Sequence, residues 1–495
     1  MKEGSNKNIK KNYLLNLIYQ VFVIITPLVT TPYISRVLGS SGIGKYSFCY
    51  SLVSYFVIFA SLGFNTYAQR EIASFQGDSK KQSEVFWEII FARFGSVALS
   101  LISFIVLIYL CKLDSTYTVL MKILSINILA TAFDVTFFFQ GNEAFGIIVL
   151  RNVVIKCIGI ALIFIFVNGR EDVWVYTLCQ TIVLVVSNLS LWTRIPRVTE
   201  KIDLRELEIK RHYIPTLKLF IPTIAASVYT ILDKTLIGIL IPGTVVNAQG
   251  VVEKISDLEN GYYEQAEKIV KMVLTVVTSL GTVMIPRNSN AIASGNMNEF
   301  KKNIQGAFVF VFFIGAPMAF GLSAISFNLC PWFFGDGFDK VPYLIILFSP
   351  LILIIGLSNV LGLQYLIPMR MDFQCAMAIS SGAIINLILN ILLIRKYLSY
   401  GACIASVGAE LLVTCMMFYF ARNQISFYDI LRRVWKYIIC SIIMFIIIYC
   451  TQQFLNPSII STLILIIEGI IVYAFELVIT KDKLVVSYLA RIIKK

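Results

Sequence analysis

Asp233 and Lys234 are ionisable residues inside the apolar segment 217–241. Such a segment is long enough to span a bilayer, since about 20 apolar residues cross its hydrocarbon core. Polar side chains recur along one helix face here, at steps of four, three and four residues: Thr223, Ser227, Thr230 and Lys234. Because charges are costly in lipid, this face is expected to line a wet cavity. Lys234 would bind anionic cargo there, with Thr230 beside it, and Asp233 would position the cargo or take up a coupling cation, H⁺ or Na⁺. The alternative is that both charges snorkel to the interface.

Other ionisable residues in or beside apolar segments are candidates for the same cavity. The basic ones that could contact cargo are Lys156, Arg93 and Arg36. Glu410 is a second candidate for taking up a coupling cation. Arg70 and Arg287 are interpreted as gate contacts or as cytoplasmic anchors. For each of them the competing interpretation is an interfacial anchor or a hydrogen bond between helices.

Composition places the whole chain in a membrane. Of its 495 residues 58% are hydrophobic and only 14% are charged, with a mean hydropathy of +0.79. A soluble protein carries about 25% charged residues. The polar segments are too short for a soluble domain, and the apolar runs have the length of helices rather than of barrel strands. We therefore predict an all-α polytopic membrane protein.

Hydropathy predicts about 14 transmembrane helices, within a range of 12 to 14. They are 13–35, 46–68, 87–111, 118–140, 147–167, 173–192, 217–241, 265–285, 304–327, 341–366, 372–394, 401–421, 434–453 and 459–479. With the N-terminus in the cytoplasm, most of the 42 lysines and arginines fall on the cytoplasmic side. Both termini are then cytoplasmic, and topology explains the net charge of +13 without nucleic acid.

The charged loop 194–218, predicted to contain an interfacial helix, divides the chain. The predicted parts are a tail (1–12), a six-helix half (13–192), a linker (193–216), a second six-helix half (217–421), an extra helix pair (434–479) and a tail (480–495). A short internal sequence similarity supports a parallel repeat: Ser61-Leu62-Gly63 before Arg70 resembles Ser279-Leu280-Gly281 before Arg287. A central polar cavity between the two halves is expected.

The sequence contains no recognisable catalytic or metal-binding set. Its ten cysteines form no CxxC pair and lie almost entirely in apolar segments, as small buried residues do. The single histidine, His212, lies in a polar loop, and no GxxxxGK[ST] motif is present. We expect no catalytic residues, no cofactor and no metal site.

Motifs spread over nearly the whole chain carry a family resemblance. They are Ser35-Arg36-Val37-Leu38-Gly39, Gly42-Ile43-Gly44, Tyr46, Arg70-Glu71-Ile72-Ala73, Phe139-Gln140-Gly141-Asn142-Glu143, Leu232-Asp233-Lys234, Gly238, Gly261-Tyr262-Tyr263, Ala266, Asn386, Asn390, Tyr400-Gly401-Ala402 and Glu410. In their order and topological position the chain resembles the Wzx-type lipid-linked oligosaccharide flippases of the polysaccharide transport family. That family belongs to the multidrug/oligosaccharidyl-lipid/polysaccharide (MOP) exporter superfamily.

The resemblance implies a flippase in the bacterial cytoplasmic membrane. Its cargo would be an undecaprenyl-pyrophosphate-linked oligosaccharide for O-antigen, capsule or exopolysaccharide, moved by alternating access. Membrane lipids, a polysaccharide polymerase and a chain-length regulator are the implied partners. The main alternative is a cation-coupled multidrug exporter of the same superfamily, and a further alternative is a membrane enzyme that acts on the same lipid. Prominent basic residues favour an anionic cargo.

Overall fold

Helices make up almost all of the computed structural model, which describes residues 2–111, 113–203, 205, 207–247 and 250–482. The helices are α1 (Lys2–Ser61), α2 (Phe64–Ser74), α3 (Ser79–Cys111), α4 (Ser115–Ala132), α5 (Thr136–Gly141), α6 (Phe145–Phe166), α7 (Val173–Ser190), α8 (Ile195–Val198), α9 (Tyr213–Leu240), α10 (Ile255–Ala293), α11 (Met297–Phe334), α12 (Val341–Phe348), α13 (Pro350–Asn359), α14 (Asp372–Tyr397), α15 (Ser399–Ala421), α16 (Phe427–Gln452) and α17 (Ile459–Ile479). An antiparallel hairpin of β1 (Thr244–Val246) and β2 (Val252–Lys254) connects α9 to α10. The predicted C-terminal tail lies outside the described residues from 483 onward.

The predicted fold class is confirmed: the protein is a polytopic, helical membrane protein. Within the described residues, 11 helical segments are long and apolar enough to cross a membrane. One of them, Phe22–Ser74, has 53 residues. At about 1.5 Å per residue that segment is far longer than one crossing of a hydrocarbon core about 30 Å thick. The exact number of spans and the side on which the termini lie stay predictions.

The first two predicted spans are joined by a kink and not by a loop. Helix α1 runs through the first and most of the second, and within it Gly39 alone leaves helical geometry, with φ 67° and ψ 176°. Gly42, which lies between the first two predicted spans, stays helical and packs closely: a Cβ there would lie 3.0 Å from Val173 Cγ2. The glycine-rich motif therefore combines one backbone break with one close helix contact.

Helix α1 ends at a second break. Leu62 and Gly63 both have positive φ, 42° and 74°, and they separate α1 from α2. A Cβ on Gly63 would lie 3.2 Å from the backbone oxygen of Thr216 on α9. The predicted counterpart, Ser279-Leu280-Gly281, lies inside the continuous helix α10. The two similar sequence segments therefore differ in structure, because only the first one breaks a helix.

Two further predicted spans are interrupted. The span 118–140 divides into α4 and α5 around Phe133, Asp134 and Val135. The span 341–366 divides into α12, α13 and a π-helical segment, Val360–Leu366. Pro350 begins α13, as expected of a residue that lacks a backbone N–H.

The described part of the loop 194–218 has no separate interfacial helix: its helical residues are the four of α8, a short 3₁₀ turn, Ile209–His212, and the start of α9 at Tyr213. The reason is that α3 provides hydrogen-bond partners to the backbone of the loop. The N–H of Glu200 donates to Ser83 Oγ (2.8 Å), and the N–H of Glu208 donates to Glu88 Oε1 (2.8 Å). With these bonds made, the loop backbone does not need helical ones.

The chain forms two compact units, Met1–Thr235 and Leu236–Lys495. In the first, α1 packs against α3, α4 and α6, and an aromatic core gathers α2, α3 and α5 around Phe86, Phe137 and Phe138. In the second, α14 packs along α15, and α11 packs along α16. Thr235, where the first unit ends, lies within α9.

Candidate functional site

The first unit contains a polar cavity of about 300 Å³ between α1, α4, α6 and α7. Its lining combines a lysine with amides, hydroxyls and two tyrosines: Tyr46, Tyr50, Asn127, Asn152, Ile155, Lys156, Gln180, Val183, Leu184 and Ser187. Lys156 is the one ionisable cation in this lining. It lies well inside α6, which runs through an apolar candidate span. A lysine held in a polar cavity of a membrane span is by default a functional candidate.

Hydrogen bonds fix the polar wall formed by α6 and α7. The guanidinium of Arg151 donates to Asn152 Oδ1 through Nε (3.0 Å) and Nη2 (2.6 Å). Its Nη1 donates to the backbone oxygen of Ser187 on α7 (2.9 Å). Arg151 thereby ties α6 to α7 and orients Asn152 beside Lys156. A second cation is thus held at the edge of the cavity.

Two tyrosines of α1, Tyr46 and Tyr50, also line the cavity. Tyr46 meets Tyr176 edge to face, with 4.9 Å between ring centroids, and stacks on Tyr50 at 5.7 Å. The hydroxyl of Tyr176 accepts a hydrogen bond from Gln180 Nε2 (2.9 Å). A sugar ring has apolar C–H faces and polar hydroxyl groups at its edge. Tyrosine rings suit such a molecule, because they have an apolar face and a polar hydroxyl.

Together these groups can hold an anionic, hydroxyl-rich molecule. The ammonium of Lys156 is a point charge for a phosphate or carboxylate. Amides and tyrosine hydroxyls both donate and accept hydrogen bonds, as sugar hydroxyls require. The cavity brings together Lys156, predicted from sequence as a cargo contact, Tyr46, a residue of the family motifs, and Asn127 and Gln180, which were not predicted.

Arg93, another predicted cargo contact, lies in a different place within the first unit. Its side chain is only 1% exposed. Its Nη1 donates to the backbone oxygens of Thr131 and Asp134, and its Nη2 donates to Asn65 Oδ1 (2.7 Å). The guanidinium also lies 5.2 Å from the centroid of the Phe137 ring. These contacts hold the break between α4 and α5, and a role in cargo binding stays a prediction.

The ionisable pair on α9 falls near the end of the first unit. Asp233 is buried and Lys234 is half-buried. The next residue, Thr235, shares a 2.9 Å hydrogen bond with Ser51 on α1, so this turn of α9 is fastened to α1. Thr230 is exposed, and its hydroxyl donates to the backbone oxygen of Ser227 (2.8 Å). The predicted roles of Asp233, Lys234 and Thr230 stay predictions.

Four further candidates lie apart from the cavity. Arg36 and Arg70 are exposed in the first unit. Arg287, in the second unit, is exposed and forms a loose ion pair with Glu299 (3.7 Å). Glu410 is buried on α15, where its backbone oxygen accepts a hydrogen bond from Thr414 (2.9 Å). Their predicted roles in cargo, gating and cation coupling stay predictions.

A buried polar cluster joins the linker to the first unit and was missed from sequence. Glu88 on α3 accepts hydrogen bonds from Arg211 (2.6 Å) and pairs with His212 (2.8 Å). The other ring nitrogen of His212 lies 2.9 Å from the hydroxyl of Tyr67 on α2. One signal was available: Glu88 is a carboxylate near the start of a long apolar helix. The cluster connects α2, α3 and the start of α9.

The helical architecture and the polar cavity inside a membrane unit define a multi-pass membrane transporter. The chain belongs to the polysaccharide biosynthesis protein family, whose model matches residues 9–292. It is 24% identical over 424 residues to the "Putative O-antigen transporter" of Escherichia coli (strain K12), covering 85% of this chain and 99% of that protein.

Solved structures show the same fold. The lipid II flippase MurJ in an inward closed conformation matches with a TM-score of 0.74 and 16% identity, over 96% of this chain and 99% of that chain. An inward-facing multidrug resistance MATE family transporter of the MOP superfamily matches with a TM-score of 0.61 and 12% identity, over 81% of this chain and 98% of that one. These relatives are named as a transporter, a flippase and a multidrug transporter.

Proposed function

We propose that the protein is a flippase that carries an undecaprenyl-pyrophosphate-linked oligosaccharide repeat unit across the bacterial cytoplasmic membrane. The exported unit would serve the synthesis of O-antigen, capsule or exopolysaccharide. The observation that carries the proposal is the cavity at Lys156, with its cationic, amide and tyrosine lining. Membership of the polysaccharide biosynthesis family supports the same cargo class.

The chemistry of the cargo explains the composition of the cavity. A pyrophosphate needs cations and hydrogen-bond donors, and Lys156 supplies the charge. Sugar hydroxyls need groups such as Asn127, Asn152 and Gln180. The polyprenyl chain can remain in the surrounding lipid, since it gains nothing from a polar cavity. Alternating access would expose the bound headgroup first to one side and then to the other.

A cation-coupled multidrug exporter is the second candidate, because the MATE transporters have the same fold. An exporter of cationic compounds needs acidic side chains around its cargo, whereas the ionisable residue in the lining of this cavity is a lysine. That contrast favours the anionic cargo. Coupling to H⁺ or Na⁺ through Asp233 or Glu410, and association with a polysaccharide polymerase and a chain-length regulator, are further parts of the proposal.

Deletion of the gene in a host that makes the polysaccharide tests this function. The complete lipid-linked repeat unit should then accumulate on the cytoplasmic leaflet, and the intact gene should restore its appearance outside. Resistance to cationic drugs should be unchanged. Normal export of the repeat unit together with increased drug sensitivity would instead identify a multidrug exporter.

A further inference from the structure

A second cavity, of about 170 Å³, lies in the second unit and is separate from the one at Lys156. It is formed by the first turns of α11 and α16 and by the connection between α15 and α16. Its charged lining residues are Lys301, Arg422, Asp429 and Arg433. Three cations and one carboxylate give this small cavity a net positive lining.

The three cations keep their charge available for a ligand. Among the described residues none of the three forms an ion pair with a carboxylate. Arg422 lies over the ring of Tyr419, 4.1 Å from its centroid, which holds the guanidinium without neutralising it. The backbone N–H of Asp429 donates to Ser426 Oγ at the start of α16 (3.3 Å). The cavity therefore favours an anion.

The rest of the lining is apolar and aromatic. Phe300 stacks on Tyr365 with 5.7 Å between ring centroids, and Phe308, Ile304 and Val434 continue this surface. Phe300, Ile304, Phe308 and Val434 are buried. An amphipathic ligand would contact both the charged and the apolar part of the lining, and a free phosphate would contact the charged part alone.

We propose that this cavity binds a phosphate group at the membrane surface, that of an anionic phospholipid headgroup or of a free phosphate. The predicted orientation, with the N-terminus in the cytoplasm, places this end of α11 and α16 on the cytoplasmic side. Basic cavities between transmembrane helices on that side suit anionic headgroups, with the guanidinium forks of Arg422 and Arg433 on phosphate oxygens. The apolar lining accommodates the lipid beyond the phosphate. The site is independent of the proposed cargo.

The chain offers a matched control for this proposal. All four side chains of Lys301, Lys302, Arg432 and Arg433 are exposed, but only Lys301 and Arg433 line the cavity. Two double variants remove the same charge. The test variant combines Lys301→Gln with Arg433→Gln, and the control variant combines Lys302→Gln with Arg432→Gln. The full-length protein and both variants are placed in nanodiscs of phosphatidylcholine, with and without phosphatidylglycerol, and the thermal unfolding midpoint is measured. A second experiment tests a soluble ligand: inorganic phosphate is added to the phosphatidylcholine nanodiscs, and chloride at equal ionic strength is the control.

Phosphatidylglycerol should raise the midpoint of the wild type and of the Lys302/Arg432 variant, because a ligand that binds the folded state stabilises it. The Lys301/Arg433 variant should lose most of this rise. If inorganic phosphate raises the midpoint of the wild type and this rise is lost in the Lys301/Arg433 variant, the site is supported with a soluble phosphate as its ligand. Equal loss in both variants, or no rise in either experiment, would overturn the proposal. Arg422→Gln is a second test variant, and midpoints in phosphatidylcholine alone report whether each variant folds.

Discussion

Nε2 of His212 lies 2.8 Å from Oε2 of Glu88, and the two side chains are 1% and 5% exposed. The pair joins residues 124 positions apart in sequence. It fixes the last turn of the linker on α3, and α9 begins at the next residue, Tyr213. The linker is therefore docked on the first unit and is not a free tether.

Removal of the Glu88 carboxylate should destabilise the protein. Glu88→Gln removes the charge that faces Arg211 and His212, and breaking a buried ion pair by removing one partner costs about 3–5 kcal/mol. Because Arg211 is partly exposed, we expect the lower end of that range. The measurement is the thermal unfolding midpoint of the purified protein.

The control for Glu88 is Glu84, one helical turn earlier on α3. It forms only a 3.9 Å surface pair with Lys80, and such pairs contribute about 0.3–0.5 kcal/mol. Glu84→Gln should leave the midpoint almost unchanged. Equal midpoints for the two variants would contradict a docked linker.

The two glycine breaks of the first unit allow strain to be separated from packing. Gly39 and Gly63 have similar φ angles, 67° and 74°, but their ψ angles are 176° and 5°. Gly63 is thus in the left-handed region, which costs an alanine about 1–2 kcal/mol, whereas Gly39 is in a region essentially confined to glycine. A Cβ meets nothing within 4 Å at Gly39 but lies 3.2 Å from Thr216 O at Gly63. Gly39→Ala should therefore lower the unfolding midpoint through backbone strain alone, and Gly63→Ala through its contact with α9 as well as strain. An unchanged midpoint for Gly63→Ala would mean that α9 is not packed against this break.

Arg93 should contribute more to the stability of the protein than to transport itself. Arg93→Met leaves the backbone oxygen of Asp134 without this donor, whereas Thr131 O keeps the N–H of Asp134, and a buried acceptor left unpaired costs about 1–3 kcal/mol. The unfolding midpoint should fall, and export per molecule of folded protein should fall less. An unchanged midpoint with abolished export would instead make Arg93 a cargo contact.

Hydropathy predicted the helical class of this fold because lipid leaves the backbone few alternatives to a helix. It could not locate the breaks, since Gly39 leaves helical geometry while Gly42 packs within the helix. The docking of the linker was hidden because Glu88 and His212 find each other only in three dimensions.

The candidate cavity was predictable only in part. Lys156 was identifiable as a charge in an apolar segment. The tyrosines and most of the amides in the lining, in contrast, come from three other helices, α1, α4 and α7. Tyrosines and glutamines at helix positions carry no such signal by themselves, because the same residues also pack between helices in membranes.

Export by Lys156 variants tests the central claim most directly. In the deletion host, the fraction of the repeat unit in the outer leaflet is measured with a membrane-impermeant sugar oxidant, at matched levels of inserted protein. Lys156→Gln should reduce export about tenfold, equivalent to about 1.4 kcal/mol, while Lys156→Arg keeps the charge and most of the export. Lys122→Gln is the control, because Lys122 is exposed on α4 and outside the cavity lining. Wild-type export by Lys156→Gln would contradict the account.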